Sequence, residues 1–318
     1  MEANAALRTI VRRDSGETYR QMLTRMAQES GVATPSIDDL ARLDRKRKGK
    51  TLSNADWTSK TDPDAKIARM KDGTTHLAYK PEHAVDLDIG VIVAAPIHPA
   101  DDGDTTTLPG TLEAAAHNLD QVGLAPTRDE PCALVGDKGY HSREGLKDLD
   151  GGVWKTRIAE PKPAHGFLRW HGDEAARDAV YANRARLKSG VGRDALRRRG
   201  EMVERSFAHV LDRGGMRRAW LRGRENLHKR YLIHVAGFNL GILMRALFGC
   251  GTPREAAGAK NALLFIIQTN AASHWRCAYQ KPRPYDFLTE SPNVGHDGST
   301  DIPVVEAGCL ALPVQEPT

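Results

Sequence analysis

The stretch Cys132-Ala133-Leu134-Val135-Gly136-Asp137-Lys138-Gly139-Tyr140-His141-Ser142 decides how the chain is read. Its first five residues are small or apolar and form the short continuous run of a buried strand. The run ends on a carboxylate, Lys138-Gly139 punctuates a turn, and Ser142 stands where it caps a following helix. Open α/β sheets place their chemistry at the carboxyl ends of such core strands. A strand ending in a solvated turn aspartate has the same pattern, so the neighbouring stretches must decide.

Upstream, residues 75–80 lead through Pro81 into 82–86, and the turn Asp88-Ile89-Gly90 is followed by the apolar run 91–97. This describes two strands joined by a tight turn. Asp104-Thr105-Thr106-Thr107 offers helix caps and Pro109 suits a first helical turn. Leu108, Leu112, Ala115, Leu119 and Val122 then keep helical spacing. Downstream of Asp137, a short helix around Leu146 and Leu149 precedes a strand near 153–158. The first strand pair is antiparallel, and helical crossovers make the later strands parallel to its second member. Such a mixed sheet brings Ile97, His98, Asp101, Asp102 and Asp104 beside Asp137 and leaves Asp86 and Asp88 at the opposite edge.

Residues 3–29 are rich in helix formers, broken near Asp14-Ser15-Gly16 and ended by Gly31. Ser36 caps a second short helix through Leu40 and Leu43, which runs into the basic stretch 45–50. Residues 53–72 and 161–172 read as loop. The chain thus divides into a helical and basic segment 1–72, an α/β domain 73–250 with a basic helical region 184–250, and a Pro-, Gly- and Ser-rich tail 251–318 expected to be poorly ordered.

Lys and Arg number 46 against 41 Asp and Glu, an excess of +5 over 318 residues. Most of it lies between residues 184 and 230. Arg184, Arg186, Lys188, Arg197, Arg198, Arg199, Arg217, Arg218, Arg222 and Arg224 stand out, opposed only by Asp194, Glu201, Glu204, Asp212 and Glu225. A surface of one sign suits a polyanion and implies salt-dependent binding to nucleic acid. Within it, residues 201–211 read as a helix with the apolar stripe Val203, Phe207 and Val210 and with Glu204 at the stripe's margin. A carboxylate there is costly unless it is paired with an arginine or bound to a metal.

The cysteines at 132, 250, 277 and 309 have neither zinc-ligand nor disulfide spacing, so a reducing cytoplasm is expected. His141, His165 and His171 have no zinc spacing either. Met1-Glu2-Ala3-Asn4 is not a signal peptide. The apolar window 231–248 contains His234, Asn239 and Arg245, and reads as a buried helix rather than a membrane span.

Taken together, several pieces resemble the DDE transposases of bacterial insertion sequences, members of the ribonuclease H-like and retroviral-integrase superfamily. The pieces are Glu2-Ala3-Asn4-Ala5-Ala6, Thr61-Asp62-Pro63-Asp64-Ala65, Asp137-Lys138-Gly139-Tyr140, Val203-Glu204-Arg205-Ser206-Phe207-Ala208, Arg222-Gly223-Arg224-Glu225-Asn226 and the run 234–239. The resemblance covers most of residues 2–255. It implies a ribonuclease H-like mixed sheet flanked by helices. It also implies three carboxylates binding two Mg²⁺ or Mn²⁺ ions, of which Asp137 matches the second and Glu204 the third. Asp104, Lys138 and Arg205 become supporting residues of that site. Met1-Glu2-Ala3-Asn4 matches the end of the motif that carries the family's first aspartate, so the leading central strand and that aspartate are expected to be missing. Gly200, four before Glu204, and Leu211, seven after it, stand where some members carry the Arg and Lys of a Tyr, Arg, Glu, Lys signature, and the Arg and Lys roles are not carried over. The expected activity is metal-dependent strand cleavage and strand transfer on double-stranded DNA by a homodimer at the nucleoid, in a chain expected to be truncated and inactive as written. A non-catalytic DNA-binding remnant and a ribonuclease H-like nuclease or resolvase are the alternatives.

Overall fold

A computed structural model describes residues 1–48, 52–70, 72–162, 170, 172–251 and 309–311. Met1–Asn239 and Ala307–Thr318 form one compact unit, and Leu240–Glu306 a second. The site considered below lies in the first. Within the second, the described residues continue a helix to Phe248.

The chain opens with two features set by short-range chemistry. Helices α1 (Tyr19–Glu29) and α2 (Ile37–Lys46) each start in a reciprocal capping box, Thr18 with Gln21 and Ser36 with Asp39. In α2, Asp38 and Asp39 occupy the first turn and Arg45 and Lys46 the last, matching the helix dipole. Residues before α1 are not α-helical, contrary to the expectation from composition. Instead β1 (Ile10–Arg12) pairs antiparallel with β2 (Trp57–Ser59), burying Ile10 and Trp57. The stretch 53–72 is likewise not all loop, since it also holds β3 (Lys66–Arg69). Strands of three or four residues are too short to register as a period. Tertiary contacts define them: the Asn54 side chain accepts from Ile67 N at 2.7 Å and donates to Ile67 O at 2.9 Å.

The hairpin read from the sequence is present, but each of its strands is broken by a kink. The first becomes β4 (Thr75–Pro81) and β5 (Ala84–Asp86), the second β6 (Ile92–Ala94) and β7 (Ile97–Pro99). Glu82 N donates to Pro96 O across the break at 3.0 Å. At the turn, Asp86 Oδ1 accepts from Asp88 N and Ile89 N, and Gly90 takes φ +79°, which a side chain would strain. Asp86 is thereby committed to the turn.

Then follow α3 (Asp104–Asp120), β8 (Cys132–Gly136), α4 (Arg143–Leu149), β9 (Trp154–Ile158), α5 (Glu174–Lys188), α6 (Gly190–Phe207), a π-helical turn Ala208–Arg213 and α7 (Arg224–Phe248). Pro109 falls inside α3, beyond its first turn. Ser142 caps α4 by accepting from Gly145 N at 2.9 Å.

Three sheets result among the described residues. β3, β4 and β7 form one and β1 with β2 another, while the largest runs β6-β5-β10-β8-β9. The strand β10 (Cys309–Ala311) lies between β5, to which it is antiparallel, and β8, to which it is parallel. The mixed α/β class and the sense of β8 and β9 follow the expectation. The centre of the sheet comes from the far end of the chain. All five residues of β8 are buried, which requires cover on both faces. Leu108, Leu112 and Ala115 of α3 share one core cluster with Leu134, and α6 packs on β5, β8 and β10.

Candidate active-site cleft

An open cleft of about 1740 Å³ is bounded by β4, the loop before α3, the turn after β8 and the end of α6. Its walls include Lys80, Asp102, Asp104, Lys138, Gly139, Glu160 and Glu204. This exceeds the usual size of a small-molecule pocket, roughly 300–1,000 Å³, and suits an extended polymer.

Asp137 ends β8 as the residue before a short 3₁₀ turn (Lys138–Tyr140). It is half-buried, and its Oδ2 atom is buried without a hydrogen-bond partner among the described residues. Glu204 is exposed on α6 and lines the cleft. Arg199, on the same helix α6, is only 4% exposed. Burial lowers the Arg199 pKa, and Asp137, Tyr140 and Glu204 each oppose that shift. One guanidinium therefore feels both carboxylates, from residues far apart in the chain.

A second buried hub holds α6 in place. His83, fully buried, has Nδ1 at 2.8 Å from Ser206 Oγ and Nε2 at 2.7 Å from Tyr231 Oη. Its ring stacks on Phe207 at 4.1 Å between centroids. Burial pulls its pKa down to about 3. Ser206 and Phe207 directly follow Glu204-Arg205, so this neutral imidazole sets where the end of α6 lies. The helix relaxes into the π-helical turn immediately afterwards, a feature common at functional sites.

The supporting residues separate. Asp104 packs against Gly139, so closely that a Cβ there would collide with its carboxylate. Lys138 is exposed at the cleft wall. Arg205 pairs outward with Glu201 at 2.5 Å.

The basic residues also separate: Arg184, Arg186 and Arg199 are engaged inside the protein, while the others stay exposed, some of them in surface ion pairs. Arg199 is buried. Arg184 forms a two-pronged pair with Glu160 at 2.6 and 2.8 Å. Arg186 donates to Thr156 O and Oγ1, both at 2.7 Å. Arg198 pairs with Asp88 at 2.9 Å, Arg197 with Asp194 at 3.2 Å, and Arg217 with Asp212. Lys188, Arg218, Arg222 and Arg224 are not buried, and Arg222 Nε lies 3.4 Å from Asn4 O.

Lys80, Glu82, His83 and the burial of Arg199 were not legible in the sequence. The available signal was a charged Lys80, Glu82 and His83 interrupting an otherwise apolar strand beside the chemistry-bearing turn. Among the described residues, no three His, Cys, Asp or Glu side chains converge to hold a metal. His165 and His171 lie outside the described residues.

A family model for the transposase DDE domain matches residues 47–240, well over half of the chain. The protein belongs to that family, as the resemblance implies, and its mixed α/β structure is compatible with a ribonuclease H-like DDE domain. No curated protein and no solved structure matches the chain. Family membership brings transposition as the process, DNA as the partner and a general use of divalent ions. Among the described residues one helix, Arg224–Phe248, is long and apolar enough to cross a membrane; Leu227, Tyr231, Val235 and Phe238 on it are buried but Leu232 and Ile233 are exposed, so it is not the buried helix expected from the sequence.

Proposed function

We propose that the protein is a transposase that cleaves DNA at element ends and joins the freed 3′-hydroxyl to target DNA, as a homodimer at the nucleoid. The supporting observation is that Glu204 and the turn directly after Asp137, at Lys138 and Gly139, line one cleft, while the charges of Asp137 and Glu204 both act on the buried Arg199. Hard oxygen donors of this kind suit Mg²⁺ or Mn²⁺, and the Oδ2 of Asp137 has no hydrogen-bond partner among the described residues. Asp137 and Glu204 would supply two of the carboxylates that hold such ions, whose charge would stabilise the attacking and leaving oxygens of a phosphodiester. Arg197, Arg217, Arg218, Arg222 and Arg224 are exposed and would hold the DNA backbone, positioning it without reading bases. Asp104 is engaged by Lys80 at 2.6 Å, so it is not free to act as a further ion ligand.

A second reading, DNA binding without cleavage, is favoured by the lack of three convergent acids among the described residues. Nicking of supercoiled DNA with Mg²⁺ or Mn²⁺ separates the two. Metal-dependent nicking, lost in Asp137→Asn and Glu204→Gln while salt-dependent DNA binding persists, supports the transposase. DNA binding with no nicking under either ion leaves the binding remnant. Cleavage that never yields strand-transfer products marks a nuclease.

A further inference from the structure

Beneath the cleft wall lies a buried charged network that the chemistry above does not use. Lys80 is 5% exposed and Glu82 is fully buried. The Lys80 ammonium lies 2.6 Å from Asp104 Oδ1, 3.0 Å from Glu82 Oε1, 3.0 Å from Thr107 Oγ1 and 3.2 Å from Asp102 O. Its three protons thus already face four protein oxygens, and none is left for a phosphate, although Lys80 lines the cleft. Glu82 is satisfied from the other side, accepting from Thr107 Oγ1 at 2.5 Å and from Thr111 Oγ1 at 2.6 Å. His98 Nε2 lies 3.0 Å from Thr111 Oγ1 and 3.5 Å from Glu82 Oε2. This ties β4, β7 and α3 into one block.

The block ends at Gly139. The Asp104 carboxylate fills the space where a side chain at 139 would be. Tyr140, fully buried, has its pKa raised by burial and by the nearby charges of Glu82 and Asp104. Gly139 and Tyr140 form the turn that begins at Asp137. We propose that Lys80 is a positioning residue for Asp137: it clamps Asp104 between Glu82 and Gly139 and so fixes the turn, at the cleft wall, that begins at Asp137. The inference rests on the ion-binding role proposed for Asp137. It explains a lysine on the cleft wall by what it does to its neighbours rather than to DNA.

Without the ammonium, Asp104 has no cation to hold it beside Glu82, and it swings from Gly139 toward the cleft. Outer partners of metal ligands typically affect ion affinity by roughly 10–100-fold. The test measures Mn²⁺ binding to the full chain by calorimetry or electron paramagnetic resonance, with duplex binding and cooperative unfolding as controls. Lys80→Met is expected to weaken Mn²⁺ at least about tenfold with duplex binding unchanged. Because Lys80→Met removes a buried cation and can compromise folding, Gly139→Ala, Asp104→Ala and their double variant form a second arm. Gly139→Ala alone weakens Mn²⁺, because the new methyl displaces Asp104. In the Asp104→Ala background the same methyl enters vacated space and costs little further, a non-additive pattern that a general loss of stability does not produce. Wild-type affinity in Lys80→Met and Gly139→Ala, or additive losses in the cycle, overturns the inference and leaves the ion-binding reading standing. Failure of the wild-type chain to bind Mn²⁺ overturns both.

Discussion

At the scale of single residues, the site is held by side chains whose roles depend on partners far away in the chain. Asp137 and Glu204 stand out in the sequence as candidates because a carboxylate ending a core strand and a carboxylate beside an apolar helix stripe are local patterns. Arg199 looked like one more base in a basic run, and only its burial distinguishes it. His83 was invisible for the same reason: its partners Ser206 and Tyr231 are 123 and 148 positions away. Replacing Asp137 with Asn or Glu204 with Gln is expected to lower metal-dependent nicking by more than about a hundredfold, since even outer partners reach roughly that range. A filter-binding assay should show DNA affinity retained. His83 gives a separate expectation. Its folded-state pKa is about 3 against an ordinary 6.5, so the unfolded chain binds the proton more readily. Stability from this group is complete above pH 6.5 and is lost as pH falls toward 3. Each unit of displacement is worth about 1.4 kcal/mol, so acid costs several. Urea midpoints measured from pH 7 to 4 should fall steeply in the wild type and less steeply in His83→Asn, which starts less stable.

At the scale of elements, strands flanking the turn at 137 and the long helices were readable, because apolar runs and helical spacing persist over enough residues. The strands β1, β2 and β3 were not, because three or four residues carry no period and their pairing is decided by contact. The basic region shows the same limit at the level of charge. Composition counted every arginine between 184 and 230 as surface, whereas Arg184 and Arg186 brace β9 and its exit through Glu160 and Thr156. The two groups should behave differently when replaced. Removing Arg218, Arg222 or Arg224 is expected to reduce the slope of log binding against log salt by about one each, with stability unchanged. Arg186→Ala should leave that slope alone and lower the unfolding midpoint, because it strips two hydrogen bonds worth about 1–3 kcal/mol together. Fluorescence anisotropy across a salt series and urea denaturation check the pair.

At the scale of the whole molecule, the sequence carried the class of fold and the family, while the closing of the central sheet lay beyond it. No local pattern links Cys309–Ala311 to strands more than a hundred residues earlier, and a Pro- and Gly-rich surrounding argues against a strand at all. Yet β10 alone joins β5 to β8. Truncation after residue 306 is expected to destabilise the first unit by at least about 2 kcal/mol, several backbone hydrogen bonds at about 1 kcal/mol each. Hydrogen exchange should lose protection at Val85 and Leu134 first, and unchanged protection there would show that the sheet closes without it.

That strand is also made late. Translation at about 5–20 residues per second leaves many seconds between the emergence of Leu134 and that of Leu310. Through that interval the nascent polypeptide exposes two bare edges, each a template for any extended peptide that fits. Crowded polysomes, where sister copies emerge side by side, are therefore where this protein is most open to mispairing, and slowing the codons after residue 136 would lengthen the exposure.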